Sequence, residues 1–588
     1  MKTTIAVSCA LLALAPPNPV VKDIIQYTLR VDSTDLSGWD VEIRLRSPAD
    51  TFRMAMAAHP EYDGRYFRYV TDFTVEPRAA VVSKVDSAVW QVVVPKGAVR
   101  VRYRIALPPP EPLPRAAWRP FLTPTGGLVG GPHAFMYVLG AEAMPVAVAL
   151  ELPRSWRVAT ALEPTRDPRQ FLARNAAALM EAPILAGPLR EWRFTERGVP
   201  HRVVYWPLPD ATPFDTSAFV SGIQRLVHQT FALFGRAPYR EYTFLFQDGA
   251  YGGLEHPSSV TLGARSENLA RDPNERLAET AHEFFHTWNL MAIKPAEYRD
   301  IDYRTQPPVS SLWFSEGVTL YYADLLLRRA GIPLSDSTRL AHLERVLARY
   351  AANPAYDRFS AEAISRVAYN AEPSALGDYT ASTHLQGEVL ATMLDFIVRE
   401  ATGGSRTLDD VMRALFARSE SRIDGRVIEQ TVERVCSCDV TPFFDAHVRG
   451  AQPLDFHRYL GLAGLRATTR WSPAVSNGEP ERDLRIFGWE PGDGGVRLVI
   501  SNPASIWGRA GLHSRDRLIS VNGERIATWP GLRSALQRLR LGDTVRIAVE
   551  RDAGPFEALV VVAGFERPTV SIAGTPDAIG RRWLEQSR

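Results

Sequence analysis

The interpretation of this chain of 588 residues starts from one stretch of sequence, His282-Glu283-Phe284-Phe285-His286. Residues 272–275 read Asp-Pro-Asn-Glu, a helix-start pattern that predicts a helix beginning about ten residues before His282. Two histidines four positions apart project side by side from such a helix, so both imidazoles can bind one zinc ion. Glu283 would then stand near the metal-bound water and act as the general base. The alternative is a chance match to a five-residue motif.

A third candidate ligand lies in the segment 312–322, which has a helical pattern and is mainly apolar. Glu316 falls near the start of this segment, where an unpaired carboxylate would be costly to bury. Two histidines and one glutamate leave one position of a tetrahedral zinc ion open for water, as a catalytic site requires. The alternative is a carboxylate stabilised by the N-terminal end of the helix dipole.

Composition indicates a folded protein with several domains, since 45% of the residues are hydrophobic. Lys plus Arg (68) nearly balances Asp plus Glu (66), so the formal net charge is only +2. Nucleic acid is therefore not an expected partner. After the N-terminus there is no uninterrupted apolar run of about 20 residues, so the sequence predicts no transmembrane span.

The first 15 residues resemble a secretory signal. Lys2 is followed by an apolar stretch that ends in Ala13-Leu14-Ala15, the small-residue pattern of a cleavage site. This pattern predicts export to the periplasm or the exterior. A misplaced start or an ordinary buried strand is the alternative, because the positive region is a single lysine and Pro16 follows the cleavage pattern.

Three regions with different periodicity predict a multidomain α+β protein. Residues 20–187 alternate between apolar and polar and contain many Pro and Gly clusters, which favours an antiparallel, β-sandwich-like domain. Residues 188–460 contain a few strands and then long amphipathic stretches, which predict a mainly helical domain. Residues 483–570 return to short strands around one helix-like stretch, and residues after Pro576 read as a tail or a short docking helix.

The three cysteines, Cys9, Cys436 and Cys438, argue against a disulfide-stabilised fold. A Cys-x-Cys pair does not easily reach disulfide geometry. Cys436 and Cys438 are therefore expected to be small core thiols, with a metal site as the alternative.

Several linked motifs resemble the gluzincin metallopeptidases, and within them the glycyl aminopeptidase family that carries a PDZ domain. They are residues 251–256 (Tyr-Gly-Gly-Leu-Glu-His), 282–289 (His-Glu-Phe-Phe-His-Thr-Trp-Asn), 313–317 (Trp-Phe-Ser-Glu-Gly) and 386–395 (Gln-Gly-Glu-Val-Leu-Ala-Thr-Met-Leu-Asp). The resemblance implies a β domain, a thermolysin-like catalytic domain and a C-terminal PDZ-like domain. It also implies one zinc ion per chain, held by His282, His286 and Glu316, with Glu283 as the general base.

The resemblance extends to the substrate cleft, where related aminopeptidases have a Gly-x-Met-Glu-Asn strand. Gly252, Gly253 and Glu255 occupy that place here, and Glu255 would pair with the free amino terminus of the substrate. Such a charge-assisted bond distinguishes an exopeptidase from an endopeptidase. The alternative is a solvated turn residue after two glycines. His256 departs from the Asn of the relatives and is expected to be structural.

The group that stabilises the oxyanion is less well defined. Related aminopeptidases have a tyrosine three residues before the glycine of a Tyr-x-Lys-Gly motif, and its hydroxyl stabilises the tetrahedral intermediate. Here that position is His384, in His-Leu-Gln-Gly. His384 could donate the same hydrogen bond, Tyr379 five residues earlier could do so instead, and a purely structural His384 is the third alternative.

Residues 494–523 resemble the PDZ domain of bacterial peptidases, which adds an extended peptide, often a C-terminus, to its sheet edge. Residues 492–495 are the candidate carboxylate-binding loop, and a domain that only packs against the catalytic unit is the alternative. The sequence thus predicts a zinc aminopeptidase that releases glycine or alanine from peptides. A PDZ-guided endopeptidase or processing protease, and a non-catalytic PDZ scaffold, are the rival hypotheses.

Overall fold

The computed structural model describes residues 24–58, 66–110, 112–298, 303–334, 338–369, 373–418, 422–491 and 494–585. The signal sequence expected at residues 1–15 and part of the loop expected at 492–495 lie outside these residues. Within the described ranges, no helix combines the length and apolar character needed to cross a membrane.

The N-terminal region is β-rich and consists mainly of three sheets. Their strand orders are β14-β15-β12-β1-β2-β7-β4, β13-β16-β10-β9 and β11-β3-β6-β5. The elements are β1 (Ile25–Asp32), β2 (Asp35–Arg46), β3 (Thr51–Ala55), β4 (Val70–Glu76), β5 (Val81–Asp86), β6 (Val89–Val93), β7 (Ala98–Ala106), β8 (Arg115–Ala116), β9 (Phe121–Thr123), β10 (Gly126–Val129), α1 (Gly131–Ala134), β11 (Tyr137–Val138), β12 (Val146–Glu151), β13 (Arg157–Thr160), β14 (Glu163–Pro164), β15 (Gln170–Ala173), α2 (Ala176–Met180) and β16 (Ile184–Gly187).

Two of these sheets enclose one apolar core. Trp39 and Val101 of the seven-stranded sheet are buried in the same cluster as Met54 and Val92 of the β11-β3-β6-β5 sheet. The period-two alternation of strands such as β7 explains this arrangement, because every second side chain faces the core. The expectation of a purely antiparallel domain was wrong in one respect, since β1 pairs parallel with β12.

The central region begins with a mixed sheet, β17-β18-β19-β22-β21, and continues as helices. Strand β21 forms one edge of the sheet and packs against α5. The elements are β17 (Arg190–Glu196), β18 (Val199–Trp206), α3 (Thr216–Phe234), β19 (Tyr242–Gln247), β20 (Ala250–Tyr251), β21 (Gly253–His256), β22 (Ser259–Gly263), α4 (Ser266–Arg271), α5 (Leu277–Phe285), α6 (Leu312–Arg329), α7 (Arg339–Ala351), α8 (Ala361–Val367), α9 (Thr383–Ala401), α10 (Leu408–Ala417), α11 (Gly425–Cys436), α12 (Thr441–Phe443) and α13 (Phe456–Gly461), with a 3₁₀ turn at Pro354–Asp357 and a π turn at Phe444–Val448.

Helix α5 begins later than its sequence pattern predicted. Asp272 is the C-terminal cap of α4, and its side chain accepts a hydrogen bond from the Asn274 N–H (2.9 Å) in a turn. The predicted N-cap is thus used by a local turn, and the helix starts at Leu277. The apolar face was predicted correctly, because Leu277, Ala281, Phe284 and Phe285 are all buried.

Two glycines allow helices α6 and α9 to cross at close range. A Cβ atom on Gly317 of α6 would collide with the backbone of Gly387 in α9, and one on Gly387 would collide with the Trp313 carbonyl group. Because the backbones touch, the first turn of α9 lies directly over the first turns of α6. This crossing brings the segment around His384 to Glu316.

The expectation of two free thiols was wrong, because Cys436 and Cys438 form a disulfide. Ser437, which follows the last residue of α11, adopts a left-handed conformation with φ 53° and ψ 40°. This turn brings the two Cα atoms to 5.2 Å, within the range of about 4.4–6.8 Å that a disulfide requires.

The C-terminal region has its own sheet, β26-β27-β28-β30-β31, with β29 paired to β28, and its own apolar core. Strands β23 and β32 pair with each other and connect this unit to the helices, and the terminal helix α16 returns to α9, where Trp583 is buried. The elements are β23 (Arg466–Pro473), β24 (Val475–Ser476), β25 (Glu479–Pro480), β26 (Ile486–Trp489), β27 (Val496–Ile500), α14 (Ile506–Arg509), β28 (Arg517–Val521), β29 (Glu524–Arg525), α15 (Trp529–Gln537), β30 (Thr544–Arg551), β31 (Gly554–Val561), β32 (Glu566–Ala573) and α16 (Ala578–Glu585).

Candidate active site

The three predicted zinc ligands, His282, His286 and Glu316, lie together. His282 is in the last turn of α5, His286 follows directly after that helix, and Glu316 is in the second turn of α6. The two Nε2 atoms are 3.0 Å apart, and Glu316 Oε2 is 3.4 Å from that of His282 and 3.2 Å from that of His286. The three side chains converge, so that one metal ion could contact all three of these atoms. His286 and Glu316 are buried.

These distances fit a zinc ion. Ligand atoms about 2.0–2.1 Å from a tetrahedral zinc are separated from one another by about 3.3 Å. The three measured separations, 3.0, 3.2 and 3.4 Å, lie close to that value. The donor set of two imidazoles and one carboxylate leaves a fourth position for water or substrate.

Asn289 holds the two ligand-bearing segments together, a role that the motif alone did not predict. Its backbone carbonyl lies 3.3 Å from Nδ1 of His286, which leaves Nε2 of that ring to face the metal. Its side-chain amide donates to the carbonyl groups of Ser315 (3.0 Å) and Phe314 (3.1 Å) in α6. Glu316 is therefore held at a fixed distance from the histidines.

The two histidines of the cluster differ in the direction of their pKa shifts. Burial lowers the pKa of His282 to about 4, so this imidazole is neutral, as a ligand must be. Burial opposes the charged form of His286 as well, but the Glu316 carboxylate outweighs it and raises the pKa of His286 to about 10. Burial also opposes ionisation of Glu316, yet His286 and His384 keep its pKa well below the usual range.

Glu283 lies beside the predicted substrate strand. The backbone of Gly253 passes so close that a Cβ atom there would be 2.9 Å from the Glu283 carboxyl carbon. Glu255, two residues along the same strand, is buried, and its carboxyl group lies close enough to that of Glu283 to affect its ionisation. Burial and the neighbouring Glu255 raise the pKa of Glu283, and burial raises that of Glu255. Nearby positive charge is needed to ionise both carboxyl groups.

The N-terminal region pairs with strand β20, which directly precedes residues 252–255. Its short strand β8 pairs in parallel with β20, and Ala117 N–H donates to the Tyr251 carbonyl (2.9 Å). Gly252 has φ +75°, and a Cβ atom there would meet the ring of Trp118 at 2.6 Å. Gly252 thus accommodates both a left-handed turn and a close tryptophan.

His256 has a structural contact, in line with its expected role. Its Nδ1 atom lies 3.4 Å from Glu181 Oε2, and Glu181 also accepts a hydrogen bond from the Tyr303 hydroxyl (3.0 Å). Glu181 follows helix α2 of the N-terminal region, so this contact fixes β21 against that region. No sequence motif singled out Glu181.

Of the two candidate oxyanion donors, only His384 reaches the site in the part of the chain that the structure describes. Its Nε2 atom lies 3.0 Å from Glu316 Oε2, and its ring stacks on that of His282 at a centroid distance of 5.6 Å. Burial disfavours the charged imidazole, but Glu316 raises the pKa of His384 overall. Tyr379 instead packs edge-on against Phe359.

A different tyrosine, Tyr369, contacts the site. Its hydroxyl donates to Oε1 of Glu316 (3.0 Å), the oxygen that does not face the histidines. The residue follows helix α8, in a sequence with no recognisable motif, and only the packing of α8 beside α6 brings it to Glu316. Tyr369 thereby directs Oε2 towards the metal position.

We expect Tyr369→Phe to weaken zinc binding about tenfold, because partners of metal ligands typically contribute 10- to 100-fold in affinity. The measurement is competition between the metal-free protein and a chelator of known affinity. Tyr379→Phe is the matched control and should bind zinc like the wild type. Equal affinities in the two variants would contradict the assigned contact.

Comparison with known proteins agrees with this geometry. The model of the peptidase M61 N-terminal domain matches residues 26–188, and the model of the M61 glycyl aminopeptidase matches residues 275–389. The second range contains His282, His286, Glu316 and His384. No curated protein matches the chain.

Among solved structures, an aminopeptidase N family protein from Idiomarina loihiensis is similar over 95% of this chain and 100% of its own, with a TM-score of 0.75 and 21% identity. An M1 zinc metallopeptidase from Deinococcus radiodurans has a TM-score of 0.48 and 15% identity, over 74% of this chain and 94% of its own. Yeast LTA4 hydrolase has a TM-score of 0.46 and 14% identity, over 74% of this chain and 68% of its own. The first of these shows a shared fold, and two stretches of the chain match, in order, the models of the M61 N-terminal domain and the M61 glycyl aminopeptidase.

Proposed function

We propose that this chain, two stretches of which match M61 peptidase models, is a zinc-dependent aminopeptidase that removes small N-terminal residues, glycine or alanine, from peptides. The observation that carries the proposal is the position of Glu255, whose buried carboxyl group adjoins Glu283 beside the three ligand residues. A carboxylate at that point can bind the charged amino terminus of a peptide whose first peptide bond lies at the metal. The description of the matched family as glycyl aminopeptidases supports the preference for small residues.

His282, His286 and Glu316 would hold one zinc ion per chain. Bound zinc supplies a Lewis acid that activates water and polarises the scissile carbonyl group. Glu283 accepts the proton of the attacking water and later delivers a proton to the leaving amine. The ammonium group of the substrate sits against Glu255, where its positive charge favours the ionised forms of both carboxyl groups.

His384 is our candidate for the oxyanion donor. The Nε2 atom of His384 lies beside Oε2 of Glu316, the oxygen that faces the two histidines. The His384 side chain is 45% exposed, so a substrate can reach it. A hydrogen bond from Nε2 to the developing negative charge would replace the tyrosine hydroxyl of related aminopeptidases. In this assignment Tyr369 orients Glu316 and does not contact substrate.

Free and blocked substrates test the proposal. We expect hydrolysis of glycine and alanine anilides and no hydrolysis of their N-acetylated forms, because acetylation removes the charge that Glu255 binds. Glu255→Gln should lower kcat/KM for the free substrates about 10- to 100-fold, the value of a charge-assisted hydrogen bond of about 1.5–3 kcal/mol. Glu267→Gln, an exposed carboxylate on α4, is the control.

The second candidate is an endopeptidase that selects protein substrates through a PDZ-like C-terminal domain. It is favoured by strand β26, an edge strand that packs beside α15, with Phe487 46% exposed and its ring 6.3 Å from that of Trp529. An extended peptide or C-terminus could add to this edge. Cleavage of N-acetylated peptides at internal bonds would favour this candidate over an aminopeptidase.

A non-catalytic scaffold is the third candidate, and the intact ligand set argues against it. We also propose that the protein is exported, on the strength of the signal-like residues 1–15 alone. Fractionation of cells that produce the full chain tests export. N-terminal sequencing of the exported protein should find a mature chain that begins after residue 15.

A further inference from the structure

We infer that the C-terminal domain positions the active site, and that Asp378 is the positioning residue through which it acts. The inference rests on the proposed peptidase function. It assigns to the C-terminal domain a role in hydrolysis itself, whether or not the domain also binds peptides.

Asp378 lies in the connection between α8 and α9 and is bound from the other domain at both carboxylate oxygens. His513 Nδ1 lies 2.7 Å from Oδ2, and the Ser514 N–H donates to Oδ1 (2.6 Å). In the same connection, Ser374 accepts a hydrogen bond from Arg515 Nε (2.8 Å). We call residues 513–515 together with Ser374 and Asp378 the interdomain clamp.

The C-terminal half of the clamp is rigid. Asp516 is buried, accepts a hydrogen bond from the His513 N–H (2.8 Å) and is paired with the Arg551 guanidinium at both of its oxygens. Arg515 adopts φ +75°, a left-handed conformation that is uncommon outside glycine. A turn this well fixed can set the position of a loop that binds to it.

Both ends of the clamped connection touch the same zinc ligand. Tyr369, before the clamp, donates to Oε1 of Glu316, and His384, after it, lies 3.0 Å from Oε2. The connection therefore carries one group that orients the ligand and one that faces the open side of the metal. A shift of the connection would move both groups relative to Glu316.

The helical region and the C-terminal domain are not tightly packed beside the clamp. A cavity of about 880 Å³ lies beside it, lined by Asn353 and Thr380 of the helical region and by Arg485 and Asn502 of the C-terminal domain. The helical region also holds the connection, since Asn353 Nδ2 donates to the Thr380 carbonyl (2.9 Å). Loss of the clamp should thus loosen the connection without unfolding it.

The test compares Asp378→Ala and His513→Ala with the wild type on a free alanine anilide. We expect each variant to lose about tenfold in kcat, since small displacements of catalytic groups are costly, while KM and zinc content stay near wild type. The double variant should lose little more than either single one, because both remove the same contact. Asp357→Ala, which alters an exposed aspartate of the same region, is the matched control.

Hydrogen exchange of residues 374–382 supplies a readout that does not depend on hydrolysis. Exchange should rise in Asp378→Ala and in His513→Ala and stay unchanged in Asp357→Ala. Unchanged kcat in folded, zinc-loaded Asp378→Ala would overturn the inference, even if exchange rose. If the wild type hydrolyses neither free nor acetylated peptides, the proposed function fails separately, and wild-type exchange rates in Asp378→Ala would then overturn the clamp itself.

Discussion

Glu283→Gln is expected to lower kcat by about 10²- to 10⁴-fold, the usual contribution of a general base. Glutamine fills the same volume but cannot accept the proton of the attacking water. Zinc should remain bound, because Glu283 is not one of the three clustered ligand residues. Turnover of alanine anilide, measured together with the metal content of the same preparation, checks both statements.

The control is Glu279→Gln, one turn earlier on α5, where the partly buried carboxylate pairs with Arg276. This variant should keep wild-type activity. Hydrolysis by Glu283→Gln at the wild-type rate would contradict the assignment. A loss of zinc along with activity would instead make Glu283 part of the metal site.

His286→Ala is expected to remove stoichiometric zinc and reduce hydrolysis to background. It deletes one of three candidate ligands and leaves Glu316 buried beside His282 and His384, without the imidazole that is the largest single factor lowering the pKa of Glu316. Removing one partner of a buried ion pair typically costs about 3–5 kcal/mol of stability, so the variant should also unfold at a lower temperature. Metal analysis and thermal unfolding measure the two effects.

His228→Ala is the matched control for that experiment. His228 is a half-exposed histidine that contacts Glu196 on the far side of α3 from the ligand cluster. Its replacement should change neither zinc content nor activity. Full zinc occupancy in His286→Ala would show that the metal is held elsewhere, and the proposed mechanism would fall.

The candidate ligand residues could be predicted from the sequence because they follow local helical patterns. The i, i+4 spacing of His282 and His286 fixes their mutual position through helix geometry alone, and the apolar period of α6 fixes Glu316 on a buried helix. The family matches at residues 26–188 and 275–389 cover the β-rich N-terminal region and the segment that contains the candidate site residues. The PDZ-like character of the C-terminal domain and the signal sequence stay predictions.

Two sequence-based expectations were wrong, the start of helix α5 and the free thiols of Cys436 and Cys438, because a local turn replaced the expected conformation. Asp272 has the chemistry of an N-cap, but its side chain closes a turn after α4, so α5 starts later. A Cys-x-Cys pair does not easily reach disulfide geometry, yet a single left-handed residue, Ser437, reorients Cys436 and Cys438 so that they bond. In both cases the local sequence pattern was compatible with more than one conformation, and the neighbouring structure selected one of them.

The sequence by itself determined that His282 and His286 lie side by side with Glu283 next to them, because one helical segment fixes their local geometry, and it predicted Glu316 as the third candidate ligand. Only the tertiary structure decided which other groups join them. Tyr369 rather than Tyr379 contacts Glu316, and Asp378 binds a domain more than a hundred residues away in sequence. These contacts depend on how helices cross at Gly317 and Gly387 and how domains dock, which no local pattern encodes.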